Sequence, residues 1–151
     1  MPTDMIYRHT QIGTIILVSI GVPVVVLLWI AFSVGLPTIA IAVLVLLVVL
    51  MVLFGSLTVE VAPATLRIWF GPGLIRKTFA LAEVNSVRAV RNRWYHGWGI
   101  RYTGQGWLYN VSGLDAIELE LRDGHRVRIG TDQPAELERA LHAAGAGRGG
   151  K

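Results

Sequence analysis

Apolar positions follow two different rhythms along this chain. Over residues 12–32 and again over 39–54 they run almost without interruption, and no Asp, Glu, Lys or Arg lies between Gln11 and Leu57. A helix rises about 1.5 Å per residue, so about 20 such residues cross a bilayer core of roughly 30 Å. The first run meets that length, and the second meets it if it extends from Pro37 to Gly55. The pattern predicts a transmembrane helical hairpin over 12–55. A short polar lead, 1–11, precedes it, and the connector 33–38 turns it, with Pro37 suited to a first helical turn. The first run outlasts a signal-peptide apolar region and ends Trp29-Ile30-Ala31-Phe32-Ser33, without a small-x-small cleavage site, which predicts a retained helix.

After Gly55 the period switches to two. Leu57, Val59 and Val61 alternate with Thr58 and Glu60, and Leu66, Ile68 and Phe70 with Arg67 and Trp69. Turns at 62–65 and 71–73 separate these strands from each other and from two more, 74–81 and 84–91. A Gly- and Trp-rich stretch spans 94–113. A hairpin follows, in which a three-residue loop, Arg122-Asp123-Gly124, pairs Glu120 with Arg126, Glu118 with Arg128, Leu119 with Val127 and Ile117 with Ile129. Opposite charges across strands help by roughly 0.2–1 kcal/mol each, so these Glu and Arg residues are expected to form a solvated sheet face. Thr131 and Asp132 suit the cap of a helix with Pro134 and Glu136 in its first turn and Leu137, Ala140, Leu141 and Ala144 along one stripe. From Ala143 the chain is small and Gly-rich, and 146–151 is expected to be a disordered tail.

Composition narrows the function. The 151 residues are 53% hydrophobic, and the excess sits in the two runs. With no cysteine, disulfides, zinc–thiolate sites and thiol catalysis are excluded. The net charge of +4 comes from basic residues that nearly all follow the second run, which suits anionic lipid head groups better than nucleic acid. Arg8 before the first helix and Arg67, Arg76 and Lys77 after the second place both termini and the β-domain in the cytoplasm by the positive-inside rule.

Two apolar helices, about seven strands and one C-terminal helix is also the order of a pleckstrin-homology-like barrel behind a membrane anchor. The segments Arg-x-Arg-Trp-Tyr-x-Gly-Trp-Gly-Ile-Arg (91–101) and Gly-Trp-Leu-Tyr-Asn-Val-Ser-Gly (106–113) resemble those of bacterial PH-like membrane proteins of uncharacterised function. The resemblance covers almost the whole chain. It implies an α+β protein: a transmembrane hairpin, then a PH-like antiparallel β-barrel over 56–145 with a capping helix, in the bacterial inner membrane. It implies no catalytic residues, and none are assigned.

The candidate contact residues are Arg91, Arg93, Trp94, Trp98 and Arg101. Amphipathic aromatics favour the membrane interface, and the arginine fork matches phosphate. The competing reading buries the Trp rings inside or over the end of the barrel and pairs Arg101 with Asp115 or Glu83. Gly97 and Gly99 permit a bulge or positive φ that re-aims a side chain. His96, Ser112 and Asp115 have the residue types of a hydrolytic triad without a nucleophile elbow around Ser112. The four histidines show no metal-ligand spacing, and Gly104-Gln105-Gly106 lacks the helix and Lys of a phosphate loop. The expectation is a non-enzymatic interaction module without cofactor or metal, its partner an anionic lipid head group or a membrane protein. The alternatives are a structural subunit, binding another protein or a second copy of itself, and, more weakly, a lipid hydrolase.

Overall fold

The computed structural model describes residues 5–35 and 37–148. Leu36 of the connector, the first four residues of the lead and the last three of the tail lie outside the described residues. The architecture is α+β: two N-terminal helices, two sheets and a C-terminal helix.

The polar lead is a strand. β1 (Tyr7–Ile12) pairs antiparallel with β2 (Ser56–Val61) from Tyr7 opposite Val61 to Ile12 opposite Ser56. Between these two neighbours lie α1 (Thr14–Val34) and α2 (Thr38–Phe54). The helices are thus inserted in the turn of a β-hairpin, whose neck is closed by the Gly13 N–H donating to the Gly55 carbonyl at 2.8 Å. Both helices are apolar on every side and neither buries a residue within the fold. Among the described residues α1 alone is long and apolar enough to cross a membrane by itself; α2 is apolar but has 17 residues.

β2 continues through β3 (Thr65–Phe70) to β4 (Ile75–Ala80), completing a four-stranded sheet in the order β1-β2-β3-β4. A single 3₁₀ turn, Leu81–Glu83, leads into β5 (Val84–Arg91). The second sheet adds β6 (Gly99–Tyr102), β7 (Gly106–Asn110), β8 (Asp115–Leu121) and β9 (Arg126–Gly130), in the order β5-β8-β9-β7-β6. β7 and β9 run parallel, which no run of simple hairpins produces. In place of the expected antiparallel barrel of about seven strands, the described residues form nine strands in two separate sheets, with β1, β4, β5 and β6 at the edges.

The core lies between the sheets. Leu57, Val59, Val61, Leu66, Ile68 and Phe70 from one meet Ile117, Leu119, Val127, Ile129 and Tyr109 from the other. α3 (Pro134–Ala143) adds Leu137, Ala140 and Leu141, as its stripe predicts. The chain does not fray at 146. Ala146 is fully buried, its N–H donates to the Leu141 carbonyl, and Gly147 reaches the Val84 carbonyl, so the expected tail is docked as far as it is described.

β1 turns polar groups inward and uses them. The Tyr7 hydroxyl donates to Gln133 Oε1 at 3.1 Å, and His9 Nε2 lies 2.6 Å from Asp132 Oδ1. Burial, then the negative charges of Asp132 and Glu136, push the Tyr7 hydroxyl up to about 12, so it stays a neutral donor at the foot of α3.

The 117–129 hairpin has the expected register in all four pairs. Its charged face is not solvated throughout: Glu118 is only 2% exposed.

Candidate functional site

One register row crosses all five strands of the second sheet. Arg101 stands beside Leu108, Leu108 beside Arg128, Arg128 beside Glu118 and Glu118 beside Arg88. The row faces away from the core, because its strand neighbours Val127, Leu119 and Val87 are the core residues. Yet Leu108 and Glu118 in this row are buried. The topology explains it. β5 and β6 are opposite edges of the sheet, so residues 92–98 between them must cross it. The crossing runs over Arg128, whose Nη1 donates to Asn92 Oδ1 at 3.4 Å.

Glu118 is the electrostatic centre of this covered face. Its carboxylate accepts from Arg88 Nη2 and from Arg128 Nε, each at 2.8 Å. Burial alone raises its affinity for a proton. The hydrogen bonds from Arg128 and Arg88, with the charges of Arg128 and Arg126, outweigh burial and hold the carboxyl below its usual range. Glu118 therefore remains charged and fixes Arg128 in place.

Beside Arg128 lies a polar cavity of about 360 Å³, lined by Arg91, Arg93, Tyr95, His96, Thr103, Gln105 and Arg128. It holds three guanidinium groups and, among the described residues, no carboxylate in its lining. Arg93 Nη1 donates to the Tyr95 hydroxyl at 2.7 Å and sits over the Tyr95 ring. Among the described residues Arg91 and Arg93 form no ion pair. Two buried nitrogens in this region also lack a partner, Asn92 Nδ2 and His96 Nδ1, and Asn92 is only 4% exposed. Such groups cost free energy unless something hydrogen-bonds them.

The crossing segment is pinned at its far end. Trp98 Nε1 donates to the Gly113 carbonyl at 3.1 Å, and Gln11 Nε2 donates to the neighbouring Ser112 carbonyl at 3.1 Å. Gln11 lies in β1 just before α1, so the Trp98 end of the crossing stands beside the root of the helices. Gly97 turns the chain there with φ 67°, and a Cβ on it would lie 3.0 Å from Arg101 Cζ. The turn between β7 and β8 is held by Asn110, whose side chain bonds the Ser112 N–H and the Gly113 carbonyl. Asn110 lies over Gly130, where a Cβ would fall 2.1 Å from Asn110 Oδ1. Gly130→Ala should therefore displace Asn110 and cost about 1–3 kcal/mol, read as a lowered thermal midpoint; an unchanged midpoint would show that Asn110 moves freely.

The expected contact residues divide. Arg91 and Arg93 come together in the cavity. Arg101 does not line it; its Nε donates to the Trp98 carbonyl at 3.2 Å, and it pairs with neither Asp115 nor Glu83 among the described residues. Trp94 is 76% exposed, against burial inside a barrel, whereas Trp98 is partly buried and serves to hold the segment. His96 shares the cavity with neither Ser112 nor Asp115. Reading the sequence missed Arg128, Asn92, Thr103 and Gln105, because strand order brings them to the cavity. No protein-family model, curated protein or solved structure matches the chain.

Proposed function

We propose that this protein is a non-enzymatic module anchored in the bacterial inner membrane, which holds an anionic head group in the cavity of Arg91, Arg93 and Arg128. The observation that carries the reading is three guanidinium groups around one cavity with no carboxylate in its lining among the described residues. Arginine forks match phosphate oxygens in shape and charge. The unpartnered Asn92 and His96 nitrogens add hydrogen-bonding capacity beside them.

Several features support the anchor. Helices apolar all round and unburied within the fold need an apolar solvent. β1 and β2 are sheet neighbours, so the chain must leave and return on one side; a crossing by α1 requires a return by α2. At 1.5 Å per residue α2 spans about 26 Å, at the short end of the spanning range. Cleavage behind α1 would also remove β1 from its sheet, which argues against a signal sequence. Arg8, which lies over the Trp69 ring, and the basic residues after α2 favour a cytoplasmic domain. Exposed Trp94 and Tyr95, on the segment that ends beside the helix root, suit the bilayer interface.

The test is lipid retention. The full chain is purified from bilayers of equal phosphatidylcholine and phosphatidylglycerol, and the retained lipid is measured by mass spectrometry. Wild type should retain the anionic lipid in a salt-sensitive way, and Arg91→Ala/Arg93→Ala should retain about tenfold less, the loss of at least one charge-assisted contact. Equal retention by both refutes the head-group reading and leaves a membrane protein as the partner.

A further inference from the structure

The two sheets part along one side. β4 and β6 are both unpaired edges, and between them the inner faces diverge around a second cavity of about 420 Å³, far less polar than the first. Its walls are Ile75 and Phe79 of β4, Ile100 of β6, Trp107 and Tyr109 of β7 and Val127 of β9. A volume of this size is in the range of small-ligand sites.

Polar residues stand among these walls, Asp123 and His125 in the β8–β9 turn, Arg126 on β9 and Lys77 on β4. Lys77 stands opposite Ile68, a core residue, between Ile75 and Phe79 on β4, and is exposed, so its ammonium lies at the mouth of the seam. It lines the cavity and forms no ion pair among the described residues. A charge can guard an exposed edge strand. That role explains a lysine on β4 but not the apolar cavity around it. Arg126 lines the cavity as a second cation. Asp123, the lining acid among the described residues, is exposed and accepts the His125 backbone N–H at 2.9 Å.

The cavity also lies near the helices. Ile75 pairs with Phe70, and the Phe70 ring packs edge-on against Phe54, the last residue of α2, with centroids 5.6 Å apart. Leu74, the residue before Ile75, is exposed. An apolar chain leaving a bilayer around α2 would meet the Ile75 end first.

We propose that this seam holds a single-chain anionic amphiphile, with its hydrocarbon tail between the sheets and its carboxylate or phosphate on Lys77. The site is separate from the arginine cavity, shares no lining residue with it and takes a tail rather than a head group.

Photolabelling tests this on the full chain in phosphatidylcholine vesicles, with palmitic acid carrying a diazirine in its tail as the probe. Adducts are expected on Phe79, Ile100 or Trp107, competed by unlabelled palmitate. Lys77→Glu should reduce them about tenfold, and Ile100→Trp, which fills the seam without adding charge, should also remove them. The diazirine analogue of hexadecanol should label the seam far less than the acid. Adducts confined to α1 and α2, or unchanged in both variants, overturn the proposal. So does crosslinking of Phe79→Cys chains to each other across the seam, which makes a second copy the occupant. Arg91→Ala/Arg93→Ala leaves seam labelling intact, so failure here is distinct from failure of the head-group reading.

Discussion

Replacing residues 13–55 with an Asn-Gly turn is expected to give a folded domain that needs no detergent. The change looks drastic, since it removes both apolar helices, yet the fold is already closed at that point. Ile12 stands opposite Ser56, and Gly13 bonds to Gly55 at the neck, so a two-residue turn spans the gap. What is lost is the packing of Ile16 and Phe54 against the edge of the core. The companion chain, beginning at Ser56, should fare much worse. It lacks β1, the Tyr7 and His9 contacts to the start of α3, and the Gln11 contact that supports the 110–113 turn. A loss of ~3 kcal/mol lowers the midpoint of a small domain by about 12 °C or more. Circular dichroism melts of the two chains decide the matter. If the chain starting at Ser56 melts as high as the turn-linked one, β1 is an accessory strand and not part of the domain.

The second large effect is expected at Glu118. Its carboxylate is 2% exposed and held by Arg128, whose side chain is 19% exposed, and by Arg88, at 59%. The Arg88 bond is screened by water and contributes little. The Arg128 bond is covered by the crossing segment, so Glu118→Ala leaves a largely covered guanidinium without its counter-ion. The cost should be near the lower end of the range for breaking a buried pair, about 3 kcal/mol. The same variant should disorder the arginine cavity, since Arg128 loses its fixed position, and reduce retained anionic lipid as well. The pH dependence has a definite sign. The carboxyl in the folded chain titrates below its ordinary 4.5. Its contribution is therefore complete above that value and is lost as pH falls through the lower folded value. The stability gap between wild type and Glu118→Gln should narrow on acidification below about 4.5. Parallel profiles across that window would remove Glu118 from its central role.

What could be read from the sequence follows from which contacts are local. The 117–129 register was legible because alternation and turn chemistry both act within a few residues. β1 was not, because its inward positions are Tyr7, His9 and Gln11, which bond polar groups elsewhere in the fold, while apolar Ile12 faces out. An edge strand of that kind inverts the pattern by which strands are recognised. Glu118 and Arg128 carry the alternation of an exposed face, and nothing near them shows that residues 92–98 pass above. That fact depends on the order β5-β8-β9-β7-β6, with its parallel pair, set by contacts far apart in sequence. Arg91 and Arg93 were found as a pair of cations, whereas their cavity was not, since its other walls come from the β6–β7 turn and the middle of β9.

The insertion of both helices within a β-turn also sets an order of assembly. β1 leaves the ribosome before the helices and finds its partner only after them. Closing the loop between Gly13 and Gly55 by random search would cost considerable chain entropy. Once α1 and α2 lie side by side, their outer ends are already neighbours, and β1 meets β2 at almost no further cost. The first sheet is thus completed behind a finished helical hairpin, and a chain whose helices have failed to pair carries an unmatched β2 edge until they do.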